Sequence, residues 1–312
     1  MQHTIYRFKI FLKEHFPYPV RKLPIHTLLG CPHRENRTGP GGCIYCYNPG
    51  FSTVNKNLPD VQTQIQAGIS TSRERGFKGK FIAYFQTYTN TYADIEILES
   101  WWKTIEHFPD DIVGLSIGTR PDCLPPDVLA LLSGIGKNVM VWLELGLQSA
   151  NDKTLELINR GHDYACFADA VNRVKKYKNI LTCAHIILGL PGESYKDMLH
   201  TIDELNRLEI NGIKMHHLQV VKNTVLAELY NRGKVKVFNE NEYINLVARL
   251  LPHISPQITI HRLIGDIRDD LLIAPRWNLP KTRIVQLIEG RLVEKQNYQG
   301  KFVANKNAMS LR

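Results

Sequence analysis

Short apolar runs alternate with amphipathic stretches along most of this chain, and no other feature of the sequence limits the fold as strongly. An apolar run bounded by turn residues predicts a buried strand and an amphipathic stretch predicts a helix, so repeated βα units and a parallel sheet are expected. The predicted strands cover residues 23–29, 81–85, 113–117, 141–145, 181–188 and 212–220. The predicted helices cover residues 61–75, 92–107, 126–133, 152–159 with 165–177, 195–208 and 224–232. Right-handed crossovers would curl these repeats into an α/β fold, a partial (βα)6 barrel of the TIM type with its loops at one rim.

Three segments follow from this pattern. Residues 1–20 are an N-terminal basic segment, residues 21–235 are the core barrel, and residues 236–312 are a C-terminal extension with a basic tail. Within the extension, the pattern predicts a helix over 240–250, a strand over 258–260 and a final basic helix from Lys281.

Positive charge is concentrated at the two ends of the sequence. The 39 Lys and Arg against 30 Asp and Glu give a net charge of +9. Residues 1–22 contribute +4 (five basic, one acidic) and residues 281–312 contribute +5 (seven basic, two acidic), so the part between them is neutral. Basic ends on a neutral body favour a polyanionic partner such as RNA. The alternative is that they are solvated tails that aid solubility.

Composition excludes several classes of protein. With 43% apolar, 22% charged and 9% aromatic residues, the chain is unlike disordered, collagen-like or coiled-coil proteins. No window reaches roughly 18 uninterrupted apolar residues, and residues 1–13 mix aromatic and charged side chains without an apolar signal region. We therefore expect a cytoplasmic protein without a membrane partner.

Three of the six cysteines form a cluster. Cys31, Cys43 and Cys46 follow the first predicted strand in a C-x11-C-x2-C pattern, at the rim where catalytic groups of parallel barrels collect. Three thiolates can hold three irons of a 4Fe-4S cluster and leave the fourth iron open to a substrate or cofactor. The alternative is a zinc site in which His33 completes a Cys3His set. A disulfide framework is not expected in a cytosolic chain of this size.

Several motifs resemble those of the radical S-adenosylmethionine (SAM) superfamily. The segment Cys43-Ile44-Tyr45-Cys46 resembles the end of that family's cluster loop, and long first spacings occur in the branch that contains the elongator catalytic subunit. Residues 144–149 with 159–162, and residues 185–193, resemble segments of elongator-type enzymes and oxygen-independent coproporphyrinogen oxidases. Residues 118–122 and 188–193 are most similar to the YhcC-like and YtqA-like bacterial group.

The resemblance implies an enzyme with a 4Fe-4S cluster and SAM as cofactors, which cleaves SAM reductively to a 5'-deoxyadenosyl radical. By residue matching, the cluster ligands would be Cys31, Cys43 and Cys46. The residues implied at SAM are Gln148 and Arg160 at its carboxylate and ribose, Tyr45 near adenine, Gln86 and Thr87 (or Thr89) at the ammonium group, and His185 where coproporphyrinogen enzymes place a ribose-contacting aspartate. Gln148 as a rim polar residue and Arg160 as a helix cap are the structural alternatives.

Catalytic candidates follow from the sixth predicted strand and from the other cysteines. Strand alternation places Lys214 and His216 on one face and His217 on the other, so at most one set would face the substrate. Cys166 is the third candidate, as a hydrogen-atom donor or thiolate, against the alternative that it is an ordinary free cysteine like Cys123 and Cys183. Arg120 is a further candidate for SAM or substrate contact.

Residues 213–224 resemble the elongator branch, whose members modify wobble uridines in tRNA. The implied substrate is therefore tRNA. The 312 residues leave no room for the acetyltransferase domain of that branch, so the expected reaction is a different one, such as processing an existing carboxymethylaminomethyl group. The alternatives are a small-molecule oxidoreductase of the coproporphyrinogen type and a non-catalytic, zinc-stabilised RNA-binding protein. An acidic flavodoxin or ferredoxin would suit a basic surface as electron donor.

Overall fold

A seven-stranded parallel sheet is the centre of the computed structural model, which describes residues 3–27, 29–35, 41–47 and 58–303. The strands of this sheet lie in the order β1-β2-β3-β4-β5-β6-β8. Their bounds are β1 Val20–Ile25, β2 Lys80–Phe85, β3 Ile112–Thr119, β4 Met140–Gln148, β5 Ile180–Leu188, β6 Gly212–His217 and β8 Thr259–Arg262. Two short strands, β7 (Val220–Val221) and β9 (Leu272–Ala274), form a separate antiparallel pair.

Helices alternate with these strands, as the sequence predicts. They are α1 Phe8–His15, α2 Val61–Glu74, α3 Ile95–Lys103, α4 Pro126–Ile135, α5 Asp152–Leu157, α6 Tyr164–Val174, α7 Tyr195–Arg207, α8 Val225–Asn231, α9 Glu240–Leu250 and α10 Lys281–Glu294. Within the described residues no strand pairing joins β1 to β8, so the sheet is an open half-barrel rather than a closed one. The α/β fold, a partial TIM-type barrel, is confirmed.

Two predicted strands end early, and in both cases the partner strand explains it. The first was predicted over 23–29 but runs over Val20–Ile25, because its last residue pairs with Phe85, where β2 ends. Leu28 lies outside the described residues. The sixth was predicted over 212–220 but ends at His217, which pairs with Leu188, the last residue of β5.

The sheet also has a seventh strand. Gly212 and Ile213 of β6 pair with Thr259 and Ile260 of β8, so part of the predicted extension continues the barrel sheet. The boundaries after residues 20 and 235 stay a prediction.

Helix α1 covers the amino-terminal end of the barrel. Phe8 and Phe11 meet the buried Trp142 of β4 edge-on, with ring centroids 5.6 and 5.3 Å apart, and Phe8 also stacks on His261 at 4.0 Å. Such aromatic pairs stabilise a fold by more than the burial of their apolar area alone. Side chains therefore fill the amino-terminal end of the barrel.

The two ends of the described chain meet beside β8. Arg7 forms a parallel bridge with Ile260, and the Gln299 amide N–H donates to the Thr4 carbonyl oxygen at 3.0 Å. The Gln299 side chain accepts a hydrogen bond from the Tyr6 N–H at 2.8 Å. Within the described residues, no helix is both long and apolar enough to cross a membrane.

Candidate active site

A cavity of about 230 Å³ lies at the carboxyl ends of the barrel strands. Its lining includes the three clustered cysteines and all six residues that the resemblance implies at SAM, namely Cys31, Cys43, Cys46, Tyr45, Gln86, Thr87, Gln148, Arg160 and His185. Residues from six separate strand ends or loops therefore converge on one space, as the parallel barrel predicts.

The cysteine pair is attached to two helices. The N–H of Cys46 donates to the Cys43 carbonyl oxygen at 3.0 Å, which makes a tight turn. Ile44 between them donates its N–H to Ile158 at 3.0 Å, just after α5, and accepts from the N–H of Leu226 in α8 at 2.9 Å. These backbone bonds fix the pair relative to the barrel.

Two guanidinium groups lie beside the thiols. Arg160 Nη1 is 3.6 Å from Cys43 Sγ, and Arg34 Nη1 is 3.9 Å from Cys46 Sγ. Burial, together with the neighbouring Cys43, raises the pKa of Cys46 to about 12, although Arg34 opposes this shift. A thiol with a raised pKa becomes a thiolate when a metal cation binds it. The guanidinium groups also suit a cluster whose thiolate ligands carry negative charge.

Single-ion zinc coordination is not supported by the described residues. A zinc ion needs four ligand atoms around it, with sulfur at about 2.3 Å. Within the described ranges, no group of three or more His, Cys, Asp or Glu side chains could hold one metal ion. His33, the fourth ligand of the zinc alternative, directs Nε2 to the Asn159 carbonyl oxygen at 2.7 Å. In a 4Fe-4S cluster each cysteine binds a different iron, so its ligands need not converge on one ion.

Two buried polar atoms of cavity-lining residues have no hydrogen-bond partner in the described part of the chain. They are Thr87 Oγ1 and Arg160 Nε. Buried polar groups in folded proteins are nearly always paired with protein or water. These two atoms, in the same cavity lining as the cysteines, therefore fit a polar molecule such as SAM.

Gly146 makes the placement of two candidate SAM residues possible. Arg160 Nη2 donates to the Gly146 carbonyl oxygen at 2.6 Å, and a Cβ on Gly146 would lie 2.7 Å from Arg160 Nη2 and 2.9 Å from Gln148 Nε2. The β4–β5 register shifts between Gly146 and Gln148, and Gln148 has φ of 79°. Such bulges turn a side chain away from strand alternation.

The structure separates the catalytic candidates. His216 lies beside His185, with ring centroids 6.1 Å apart, whereas the His217 ring stacks on Trp277 at 4.1 Å and meets Tyr243 of α9, so the two rings lie on opposite faces of β6 as strand alternation predicts. Both residues belong to the cavity lining, and which of them faces the substrate stays a prediction. Lys214 is buried and donates to Glu144 at 2.9 Å. Cys166 lies in the first turn of α6, where its N–H donates to Asp163 at 2.8 Å, and it is not part of the cavity lining.

Arg120 also lines the cavity, but its side chain is engaged. It forms an ion pair with Asp122 at 2.8 Å and donates to the Arg160 carbonyl oxygen at 3.2 Å. The second contact holds the backbone at Arg160. Cys183 is fully buried at the β4–β5 interface, and Cys123 follows β3 outside the cavity lining.

A buried charge centre, which sequence reasoning missed, lies at the base of this cavity. The side chain of Glu144 is fully buried and accepts hydrogen bonds from five side chains. These are Lys22, Lys214 Nζ at 2.9 Å, Tyr84 Oη at 2.8 Å, Ser116 Oγ at 3.1 Å and His185 Nε2 at 2.7 Å. Burial alone would raise the pKa of Glu144, but Lys214, Lys22 and His185 hold it well below its usual value. The available signal was one acidic residue within an apolar strand.

Comparisons with known proteins identify the family. The radical SAM superfamily profile matches residues 27–205, and the radical SAM C-terminal domain profile matches residues 210–294. The chain belongs to the radical SAM superfamily. It is an enzyme whose family uses a 4Fe-4S cluster and SAM.

Two bacterial relatives are of similar length. The chain is 37% identical to the uncharacterized protein YtqA of Bacillus subtilis, over 93% of this chain and 90% of that protein. It is 34% identical to YhcC of Escherichia coli K12, over 89% and 88%. Elongator complex protein 3 of Schizosaccharomyces pombe is 24% identical over 82% of this chain and 56% of that protein.

The fold has a similar solved structure in an archaeal protein. Methanocaldococcus infernus Elp3 superimposes with a TM-score of 0.70 at 18% identity, and the match covers 90% of this chain. This chain spans 64% of that structure, so about a third of the Elp3 chain has no counterpart in the match.

Proposed function

We propose that this enzyme binds a 4Fe-4S cluster through Cys31, Cys43 and Cys46 and uses SAM to modify the wobble uridine of tRNA. The observation that carries the cofactor part is the convergence of these three thiols and the six candidate SAM residues on one cavity. With both cofactors bound, reductive cleavage of SAM supplies a 5'-deoxyadenosyl radical.

The residues of the chain position these cofactors. Arg160 lies at the thiol of Cys43 and at the backbone of Gly146, and its unpaired Nε offers a further donor to a carboxylate. Gln86 and Thr87 provide oxygen acceptors for an ammonium group. Tyr45, between two of the cysteines, supplies an aromatic face in the same cavity.

The tRNA part is supported by relatives and by charge. The tRNA uridine(34) acetyltransferase of Dehalococcoides mccartyi is 27% identical over 57% of this chain and 39% of that protein. The net charge of +9 favours a polyanion, since phosphate contacts supply much of the affinity for nucleic acids. A tRNA substrate would place the enzyme in the cytoplasm, where an acidic flavodoxin or ferredoxin could donate the electron.

Anaerobic reconstitution tests the cofactor part. The protein is loaded with iron and sulfide, reduced in the presence of SAM, and assayed for 5'-deoxyadenosine. We expect Cys31→Ala, Cys43→Ala and Cys46→Ala to abolish its formation. Cys166→Ala is the matched control, because Cys166 lies outside the cavity, and it should behave as the wild type. One bound zinc without iron would contradict the enzyme's assigned chemistry.

Bulk tRNA added to the same assay tests the substrate. Stimulation of 5'-deoxyadenosine formation, together with tRNA binding that weakens steeply with salt, is the expected result. Formation without any response to tRNA would contradict the RNA substrate and favour a small-molecule oxidoreductase.

A further inference from the structure

The hydrogen bond between Glu144 and His185 fixes how the imidazole faces the cavity. Glu144 is ionised and therefore only accepts, so the nitrogen 2.7 Å from it, His185 Nε2, must carry the proton. The ring position of His185 is thus set by a buried carboxylate, as in other carboxylate–histidine pairs.

His185 is neutral in this setting. Burial and the nearby Lys214 lower the pKa of His185 to about 4, although Glu144 pulls it upward. A neutral imidazole that donates through Nε2 has a lone pair on Nδ1. Within the described part of the chain, the hydrogen bonds of the His185 side chain comprise the one to Glu144, and the residue lines the cavity.

The hydrogen bond to Glu144 leaves this position with a single acceptor atom. An aspartate can accept from two ribose hydroxyls at once, whereas His185 has one lone pair to offer. His216, which burial also keeps neutral by lowering its pKa well below the usual value, lies beside it with ring centroids 6.1 Å apart. Both histidines come from β5 and β6, at the other end of the sheet from β1, which precedes the cysteines.

We propose that His185, oriented by Glu144, recognises the substrate by accepting a hydrogen bond from a ring N–H group, such as the N3–H of uracil. Glu144 is the positioning residue and His185 the residue that touches substrate. The choice of uracil rests on the RNA substrate proposed above. A site built around a hydrogen bond to substrate discriminates strongly against analogues that lack the donor, because the buried acceptor is then left unpaired.

Binding of RNA oligonucleotides tests this inference without relying on turnover. The cluster-loaded protein with SAM is titrated with a uridine oligonucleotide and with the same oligonucleotide built from 3-methyluridine, which has no N3–H. We expect the wild type to prefer uridine by about tenfold, the worth of one good hydrogen bond. His185→Ala should reduce this preference to within about twofold. His200→Gln, on the exposed face of α7, is the control and should keep it.

Each outcome separates the inference from the proposed function. Binding of both oligonucleotides by the wild type with equal affinity overturns the inference and leaves the RNA substrate standing. No salt-sensitive binding of either one overturns the proposed function, and the uracil assignment with it. Loss of SAM affinity in His185→Ala, measured by equilibrium dialysis, would make His185 a cofactor contact and overturn the inference as well.

The tautomer can be measured directly. Nitrogen-15 NMR of the full-length protein at pH 7 should show His185 neutral and protonated on Nε2. A ring protonated on Nδ1, or on both nitrogens, would overturn the inference even if the variants fail to fold. Glu144→Gln should weaken the preference for Nε2 protonation, a change that loss of packing alone would not cause.

Discussion

Gly146 shows how one missing side chain arranges several others. Its carbonyl oxygen holds Arg160, and the space that its Cβ would fill is occupied by the ends of Arg160 and Gln148. Both side chains are candidate SAM contacts on the cavity wall. Small changes at this position should therefore affect ligand binding more than folding.

Gly146→Ala tests that expectation. Because the added Cβ meets the ends of side chains rather than backbone, we expect the free energy of unfolding to change by less than about 1 kcal/mol. SAM affinity should fall about tenfold through the displaced Arg160. Gly290→Ala, in open space within α10, is the control and should stabilise by about 0.5–1 kcal/mol with unchanged affinity. Equal SAM affinity in both variants would contradict the role of Gly146.

The carboxyl group of Glu193 makes the stability of the fold depend on pH. Burial raises its pKa from 4.5 to about 7, against the hydrogen bond from Ser149. Between these values the folded state binds more protons than the unfolded state, so stability falls as pH rises from about 4.5 to 7. The wild type should lose about 2 kcal/mol of its free energy of unfolding over this window, and Glu193→Gln should remove that loss. Chemical denaturation at pH 5 and pH 8 measures it. The exposed Glu74→Gln should show the wild-type slope, and an unchanged slope in Glu193→Gln would refute this account.

Residue roles were predictable only where a motif marked them. The cysteine spacing and the resemblance located the nine cofactor candidates that meet in the cavity. Glu144 was not recognised, because its partners are as many as 122 residues away in sequence and no spacing rule joins them. Chemistry inside a barrel is assembled across strands, and a single sequence does not display those pairs.

At the scale of elements, α1 packs against the barrel sheet. Phe11 is 8% exposed, and it contacts Trp142 across the amino-terminal end of the sheet. The helix does not reach the cavity lining. Its contribution should therefore be to stability.

Phe11→Ala measures this contribution. Removing a nearly buried ring leaves a hole against Trp142, and we expect a loss of about 3 kcal/mol in the free energy of unfolding. Lys9→Ala, on the exposed side of the same helix, should change it by no more than about 0.5 kcal/mol. A similar effect of both substitutions in urea denaturation would mean that α1 does not seal the barrel.

Element types were predictable and element ends were not. Apolar runs located all six predicted strands, because strands covered on both faces have a continuous apolar signal. The ends of β1 and β6 depend on where β2 and β5 stop pairing, which the local sequence does not contain.

For the whole molecule, the cofactors should stabilise the fold that holds them. Four strands and several loops contribute to the cavity lining, so a ligand there binds only the folded state. SAM at 100 times its dissociation constant should add about 2.7 kcal/mol to the free energy of unfolding of the cluster-loaded protein. Thermal unfolding should show a rise of about 5 °C. With SAM, the melting temperature of Cys43→Ala should not rise, whereas that of Cys166→Ala should rise as in the wild type. A SAM-dependent rise in Cys43→Ala would mean that SAM binds at another place.

The meeting of the chain ends beside β8 has a consequence for biosynthesis. Tyr6 is synthesised 293 residues before its hydrogen-bond partner Gln299, and Arg7 likewise long before its bridge partner Ile260. At 5–20 residues per second, the amino-terminal aromatic residues wait about 15 to 60 s before their packing site is complete. During that interval the rings of Phe8 and Phe11 are exposed to other proteins, so a nascent chain of this enzyme should bind a ribosome-associated chaperone.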